Sequence, residues 1–114
     1  MRVKRGVASH AKHKKIRLAT RGMTKSNRSS IKRGKQALTK ALENATRDRK
    51  ERKRTFRQLW NVRINAAARL NNTTYSRLMS NLKKANITLD RKILSELAVN
   101  EPAAFEAIVK ATKT

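Results

Sequence analysis

The chain has little of several residue types on which compact folds and catalytic sites usually depend. Its 114 residues include no cysteine, one proline, three glycines and only four aromatic side chains. The absence of cysteine excludes disulfides and thiolate metal sites. No apolar run approaches the roughly 18 residues of a membrane span, and the N-terminus lacks the apolar segment of a secretory signal. We therefore expect a cytoplasmic protein.

Acidic residues are also scarce, because the chain carries 7 Asp and Glu against 30 Lys and Arg, for a formal net charge of +23. The first acid is Glu43, and 14 Lys and Arg precede it. A small domain with this excess would repel itself, so the sequence predicts a polyanionic partner, with nucleic acid as the first candidate. An organelle transit peptide would also be basic, but lysine dominates here and no amphipathic segment stands out.

Nothing in the sequence predicts catalysis. His10 and His13 are the only histidines, and they lie far from any carboxylate in a strongly positive region that disfavours a cation. There is no phosphate-binding glycine loop and no credible pair of nucleophile and base. We expect a protein that is not an enzyme and that has no cofactor and no metal.

Residues 1–35 do not have the composition of a packed domain. They contain all three glycines and many serine, threonine and asparagine residues, with few large apolar side chains. Such a segment cannot bury enough apolar surface to offset its ordering entropy. We therefore expect it to be largely disordered when free and to order as turns and short helices against phosphates.

A long helix is predicted after this segment. From Lys35 to Leu70 there is no glycine or proline, and apolar residues recur in steps of three and four, which is the helical period. A continuous helix here would be roughly 54 Å long. Its middle is basic on every face, which fits a rod enclosed by phosphates, although a solvent-exposed connector is the alternative. The i,i+4 spacing favours two ion pairs, Asp48 with Arg52 and Glu51 with Arg47.

Three shorter helices are predicted to complete a small C-terminal domain. Asn71-Asn72-Thr73 is typical of a turn, Thr74 and Asp90 are candidate N-caps, and Pro102 suits a first helical turn. The predicted apolar positions are Tyr75, Leu78, Met79, Leu82, Ile93, Leu94, Leu97, Phe105, Ile108 and Val109. We also expect Trp60 in the core, while Tyr75 fits the core and a base-stacking surface about equally.

These patterns together predict an all-α protein in which a basic N-terminal extension and a long helix lead into a small C-terminal helical domain. The predicted boundaries are 1–35 for the extension, 36–57 for the basic part of the long helix and 58–114 for the domain. A domain of that size buries only about 60% of its unfolded surface, so its stability should be marginal.

One stretch of the sequence resembles a known family. It reads RDRKERKRTFRQLWNVRINAAARLNNTTYSRLMSNLKKANITLDRKILSELA, and RVKRG near the N-terminus and HKK at 13–15 match the same family. The most specific parts are Arg57-Gln58-Leu59-Trp60 and Arg63-Ile64-Asn65-Ala66-Ala67-Ala68-Arg69. The chain resembles the bacterial large-subunit ribosomal protein family called L-twenty over nearly its whole length.

The resemblance implies a structural constituent of the large ribosomal subunit that binds its ribosomal RNA directly and organises it early in assembly. It implies an extension that threads between rRNA helices and a C-terminal domain that sits on an rRNA junction. Neighbouring large-subunit ribosomal proteins are implied partners. Some family members also repress their own translation by binding a messenger site that mimics the ribosomal one, so the chain's own mRNA is a further possible partner.

Two features depart from the family pattern. The family usually has a branched apolar residue after the tryptophan, and here that position is Asn61. The family usually has aromatic residues beside a glycine after the His-Lys-Lys region, and here the sequence is Arg21-Gly22-Met23-Thr24-Lys25. A stacking contact inferred for that loop is therefore not expected in this chain.

The predicted RNA-binding residues are basic side chains of the extension and long helix, together with polar residues expected on the surface of the domain. They are Arg2, Lys4, Arg5, Lys12, His13, Lys14, Lys15, Arg17, Arg21, Lys25, Arg28, Lys32, Arg33, Arg47, Arg49, Lys50, Arg52, Lys53, Arg54, Arg57, Arg63, Asn65, Arg69, Ser76, Arg77, Lys83, Lys84, Arg91 and Lys92. Lys, Arg, Asn and Ser all contact phosphate or sugar without catalytic geometry.

Two other classes of protein remain as alternatives. A DNA-binding, chromatin-like protein of the basic-zipper type would need apolar heptads sustained over three or four repeats, and here the pattern breaks at Asn71. A membrane-active cationic helix would need a continuous apolar face beside the charge, which residues 46–55 lack.

Overall fold

The computed structural model describes residues 4–113, and every regular element in that range is a helix. The helices are α1 Gly6–Ala19, α2 Lys25–Ser29, α3 Ile31–Leu70, α4 Tyr75–Lys84, α5 Arg91–Asn100 and α6 Pro102–Thr112. The predicted all-α class is therefore confirmed. Contacts within the chain divide it into two units whose boundary in sequence lies between Lys50 and Glu51 of α3.

The first unit contains helices where the composition predicted disorder in the free chain. Close packing at Gly34 of α3 provides the physical reason, since a Cβ there would lie 2.9 Å from the carbonyl oxygen of Asn27 and 3.2 Å from Cγ2 of Ile16. Thr20, at the end of α1, is fully buried, and its hydroxyl donates to the carbonyl of Ile16 at 2.9 Å. Gly22 takes a left-handed φ of +88° in the turn before α2.

The long helix is present and begins at Ile31, four residues before the predicted start. It therefore runs through Gly34, which lies outside the predicted helix. Close packing at this position leaves little room for a Cβ and therefore favours glycine. The two predicted i,i+4 ion pairs are wrong. Asp48 instead contacts its neighbour Arg47, whose Nε lies 3.5 Å from Oδ1.

The core of the second unit is formed by apolar faces of α3, α4, α5 and α6. Its buried members are Ile64, Ala68, Leu78, Leu82, Leu94, Phe105 and Val109, and Tyr75, Met79 and Ile108 pack partly buried against them. The predicted face of α5 needs correction, because Ile93 is 44% exposed. The side chains of α5 that face inward are Leu94, fully buried, and Ser95, whose Oγ has no hydrogen-bond partner among the described residues.

Two asparagines end α3 and α4 in the same way. Asn72 and Asn86 have positive φ values of 56° and 54°, in the left-handed region that asparagine tolerates better than most residues. The amide of the following residue bonds back to the helix in each case, Thr73 to the carbonyl of Ala68 and Ile87 to that of Leu82, both at 3.0 Å. This is the Schellman arrangement, and it turns the chain back so that successive helices share one core.

The predicted helix starts are confirmed in position, and one differs in chemistry. Thr74 caps α4 with its hydroxyl, which accepts from the amide of Arg77 at 3.4 Å. Asp90 occupies the N-cap position of α5, but its side chain makes no capping hydrogen bond. Pro102 begins α6, where its missing amide hydrogen costs no helical hydrogen bond.

The aromatic residues divide between core and surface. Phe105 is 1% exposed and lies in the core, as predicted. The expectation that Trp60 belongs to the core is wrong, since Trp60 is half-buried and lies outside the core cluster. Position along the helix explains the difference, because Trp60 shares a face with Ile64 but lies one turn before it, and Ile64 is the first α3 residue of the core cluster. Trp60 pairs instead with Phe56, at 6.4 Å between ring centroids.

Candidate nucleic-acid interface

The predicted RNA-binding residues are spread over five helices and the connections beside them. In chain order these are Lys4, Arg5, then on α1 Lys12, His13, Lys14, Lys15, Arg17, then Arg21, then on α2 Lys25, Arg28, then on α3 Lys32, Arg33, Arg47, Arg49, Lys50, Arg52, Lys53, Arg54, Arg57, Arg63, Asn65, Arg69, then on α4 Ser76, Arg77, Lys83, Lys84, and on α5 Arg91, Lys92. All of them are exposed except Asn65, which is half-buried. Arg2 lies outside the described residues.

The middle of α3 is the most extreme part of this surface. Every residue from 46 to 59 is exposed, over nearly four helical turns, although the apolar side chains Phe56 and Leu59 keep only 43% and 40% of their surface accessible. Seven of these fourteen residues are Lys or Arg, and only Asp48 and Glu51 are acidic. A helical segment with so little buried surface gains little stability from packing within its own chain.

Very little of the positive charge is neutralised inside the protein. Among residues 4–113 three ion pairs form, Lys40 with Glu43 at 3.4 Å, Arg47 with Asp48 at 3.5 Å and Lys110 with Glu106 at 2.7 Å. All three are on the surface, where such pairs contribute little stability. Lys110 donates a hydrogen bond to Glu106 and attracts its negative charge, which together lower the pKa of that carboxyl. The other cations of the described region are available to an external anion.

The basic face of α1 contains a surface hollow of about 400 Å³. His10, His13, Lys14, Arg17 and Leu18 line it. Four of these five side chains carry nitrogen donors, so the hollow presents hydrogen-bond donors to an anion. Three of the four donors, His13, Lys14 and Arg17, are among the predicted RNA-binding residues, and His10 is not.

A hydrogen-bonded network joins three helices of the second unit. Arg91 on α5 donates from Nε to the phenol oxygen of Tyr75 at 2.9 Å, and that phenol donates to Oδ1 of Asn61 on α3 at 3.0 Å. The amide of Tyr75 also donates to Oδ1 of Asn65 at 3.4 Å. Arg91 is therefore held at its Nε while the rest of its guanidinium stays exposed. The planar fork of that group suits a phosphate.

Sequence reasoning selected Arg91 and Asn65 but missed the residues that join them. Asn61 was noted only as a departure from a family pattern, and Tyr75 was considered for the core or for stacking. A tyrosine that begins a helix beside a core has an apolar ring and a polar oxygen. That amphipathic character was the available signal, but the partners of the oxygen come from positions 14 and 16 residues away.

Comparison with known proteins shows the family of the chain. The family model described as ribosomal protein L20 matches residues 2–108. The chain belongs to this family. The large ribosomal subunit protein bL20 of Methylobacterium sp. strain 4-46 is 58% identical over 96% of this chain and 87% of the relative. The protein of that name from Bradyrhizobium sp. strain BTAi1 is 55% identical over 98% of this chain and 94% of the relative.

Membership of the L20 family confirms the resemblance drawn from the sequence, and it gives the departure at Asn61 a structural meaning. A branched apolar side chain at this position would offer no acceptor to the phenol of Tyr75. In this chain Asn61 provides that acceptor, so the Tyr75–Arg91 contact gains a third member. The departure at residues 21–25 covers the turn between α1 and α2 and the first residue of α2, and Gly22 is the residue with positive φ in that turn.

No helix within residues 4–113 has an apolar stretch long enough to cross a membrane. In the same part of the chain, no three His, Cys, Asp or Glu side chains come together as a potential metal-binding group.

Proposed function

We propose that the chain is a structural constituent of the large ribosomal subunit that binds large-subunit ribosomal RNA directly and organises it during early assembly. The observation that carries the proposal is the exposed, densely basic segment of α3 at residues 46–59. Family membership and the names of the relatives support the ribosomal setting.

The charge distribution favours folded RNA over duplex DNA as the partner. A helix that lies along a duplex needs basic residues on the side that faces the phosphates, whereas in this segment Arg47, Arg54 and Arg57 share one side and Arg49, Arg52 and Lys53 cover others. Folded RNA surrounds a rod with phosphates from several strands. Each Lys or Arg that neutralises a phosphate releases counterions, so this segment should supply strong, salt-dependent affinity with little sequence preference.

The C-terminal unit is the better candidate for selectivity. We assign it the recognition of RNA shape and 2′-hydroxyl groups, because its surface cations are held by a packed core. Arg91 is the clearest case, since Tyr75 and Asn61 restrict the position of its guanidinium. The other proposed contacts in this unit are Arg63, Asn65, Arg69, Ser76, Arg77, Lys83, Lys84 and Lys92.

In this proposal the chain acts inside the cytoplasmic ribosome, beside other large-subunit proteins, and its residues perform no catalysis. The extension before α3 would contribute further phosphate contacts from α1 and α2. Any binding to the chain's own messenger would use the same surfaces, so a messenger fragment should compete with ribosomal RNA for them.

The test uses the whole chain and three probes: a large-subunit rRNA junction fragment, a scrambled structured RNA of equal length and a DNA duplex. If about ten phosphates are engaged, log affinity should fall against log salt with a slope of roughly −7 to −9. The chain should prefer the junction fragment at physiological salt.

Two charge variants separate the proposed roles. Replacing Arg47, Lys50 and Arg54 with glutamine should weaken binding to all RNA probes and flatten the salt slope by about three. Replacing Arg91 with glutamine should reduce the preference for the junction fragment over the scrambled RNA. A preference of the intact chain for duplex DNA would overturn the ribosomal proposal in favour of the chromatin-like alternative.

A further inference from the structure

An exposed aromatic pair lies on the basic helix, outside the core. The rings of Phe56 and Trp60 are one helical turn apart, with centroids 6.4 Å from each other and planes tilted by 40°. Phe56 is 43% exposed and Trp60 is half-buried. The guanidinium carbon of Arg52 lies 5.7 Å from the centre of the Phe56 ring, in a cation–π contact.

We propose that Arg52, Phe56 and Trp60 form a stacking site for an unpaired nucleobase of RNA. Exposing large aromatic surface to water is unfavourable, and these rings have no core of their own to enter. A nucleobase presents a flat π-face of similar size, and aromatic side chains and arginine planes are the groups on which single-stranded bases stack. The inference deepens the proposed function and rests on it.

The residues around the aromatic pair favour nucleic acid over a purely apolar partner. On a helix, the neighbours of Phe56 and Trp60 are the residues three and four positions away. Arg52, Lys53, Arg57 and Arg63 occupy four of those positions, and no Asp or Glu occupies any of them. A partner must therefore offer negative charge around an apolar, flat group. An unpaired nucleotide has both, with its phosphates on either side of its base.

The site divides the chemistry of one nucleotide between two kinds of side chain. Phe56 and Trp60 would contact the base. Because every base has a π-face, stacking would show little preference among sequences, and it would favour unpaired over paired RNA. Arg52 would join the stack with its plane, and the neighbouring cations would contact phosphate. Paired regions hide their bases in the helix and would meet only the cations.

Fluorescence of Trp60 provides a direct readout, because it is the only tryptophan in the chain. The probes are an oligoadenylate of about twelve nucleotides, within the site sizes of single-strand binders, the same strand paired with oligouridylate, and an abasic ribose-phosphate strand of equal length and charge. Oligoadenylate should quench Trp60 and bind more tightly than the other two. The abasic strand should bind through its phosphates and leave the emission nearly unchanged.

The variant Phe56→Leu keeps an apolar side chain and removes the π-face. It should weaken oligoadenylate binding at least about fivefold while the affinity for the abasic strand and the salt slope stay the same. The matched control is Val62→Ala, on the same helix at a position that is 66% exposed and not adjacent to the pair. It should leave all three affinities unchanged. Circular dichroism of each variant checks that the helix content is intact.

Three results would overturn the inference. One is equal affinity for oligoadenylate and the abasic strand, and another is an unaltered oligoadenylate affinity in Phe56→Leu. The third is a blue shift of Trp60 on vesicles of phosphatidylglycerol without any response to oligoadenylate, which would assign the pair to a membrane surface. If the chain still selects the rRNA junction fragment in any of these cases, only the stacking site fails and the proposed function stands.

Discussion

The packing at Gly34 leads to a prediction that opposes ordinary helix propensity. Gly34 lies inside α3, where alanine is normally favoured over glycine by about 1 kcal/mol. A methyl group at this position, however, would meet the carbonyl oxygen of Asn27 at 2.9 Å and Cγ2 of Ile16 at 3.2 Å. The first contact is with backbone, so it cannot be relieved by a change of side-chain rotamer.

The expected change in stability is the difference between the cost of the close contacts and the gain in helix propensity. Overpacking a close contact costs roughly 1–3 kcal/mol, against a gain of about 1 kcal/mol from propensity. We expect Gly34→Ala to lower the free energy of opening in the first unit by about 1 kcal/mol, or roughly a fivefold increase in amide exchange rate. Gly34→Val should cost more, because its side chain is larger and its helix propensity is lower.

Hydrogen exchange measured by NMR is the suitable assay, with the amides of Thr20 and Asn27 as reporters. Both are hydrogen-bonded, to the carbonyls of Ile16 and Thr24 at 2.9 and 3.0 Å. Gln36→Ala, at an exposed position of the same helix, is the control and should change protection only slightly. Slower exchange in Gly34→Ala would show that propensity alone acts there, and it would refute the packing of α1 and α2 on α3.

Other predictions concern the second unit. Leu94→Ala should lower the free energy of unfolding by about 2–5 kcal/mol, because Leu94 is fully buried. Ser95→Ala should raise it by about 1 kcal/mol, since the buried Oγ has no partner. Tyr75→Phe should cost about 1–2 kcal/mol through two lost hydrogen bonds. Lys110 lowers the pKa of Glu106, so their pair stabilises the fold above the carboxyl's unfolded pKa and loses this contribution as pH falls through the folded pKa; in Glu106→Gln this part of the acid dependence should be absent.

Denaturant unfolding measures the first three, and thermal melts across the acidic range measure the fourth. Ile93→Ala is the control for Leu94, because Ile93 is 44% exposed on the same helix and should cost much less. Destabilisation by Ser95→Ala would mean that the hydroxyl has a partner in solution. An unchanged stability in Tyr75→Phe would contradict the network, and an identical acid dependence in Glu106→Gln would contradict the ion pair.

The sequence predicted most of the fold because its signals are local. Steps of three and four, the turn at Asn71-Asn72-Thr73, Thr74 as a cap and Pro102 at a helix start depend on neighbouring residues only, and all of them are found in the structure. The apolar stripe likewise identified Leu78, Leu82, Leu94 and Phe105 as inward-facing. The start of α3 was placed too late because a glycine usually weakens a helix, and its packing partners were not visible in the sequence.

The candidate site could be predicted only in part for a related reason. Charge excess and the absence of acids identify basic residues one by one, without reference to structure. The role of Tyr75 depends on Asn61 and Arg91, which are distant in sequence and come together through the fold. The boundaries 1–35, 36–57 and 58–114 remain a prediction, as do the individual RNA contacts.

The sequence by itself determined the class of the protein: an all-α, strongly basic chain of a ribosomal family, with a long helix whose charged middle has no face to bury. Composition and helical period set the all-α class and the charge, the resemblance of motifs such as Arg57-Gln58-Leu59-Trp60 indicates the family, and none of these depends on distant contacts. Only the tertiary structure decided which aromatic residues are in the core. Phe105 belongs to one core cluster with Ile64 and Leu94 and is buried, whereas Trp60 and Phe56 precede Ile64 on α3, lie outside that cluster and remain partly accessible. The physical reason is that the sequence gives the face of the helix on which a residue lies, but how far along that face the other helices pack is set by the tertiary structure.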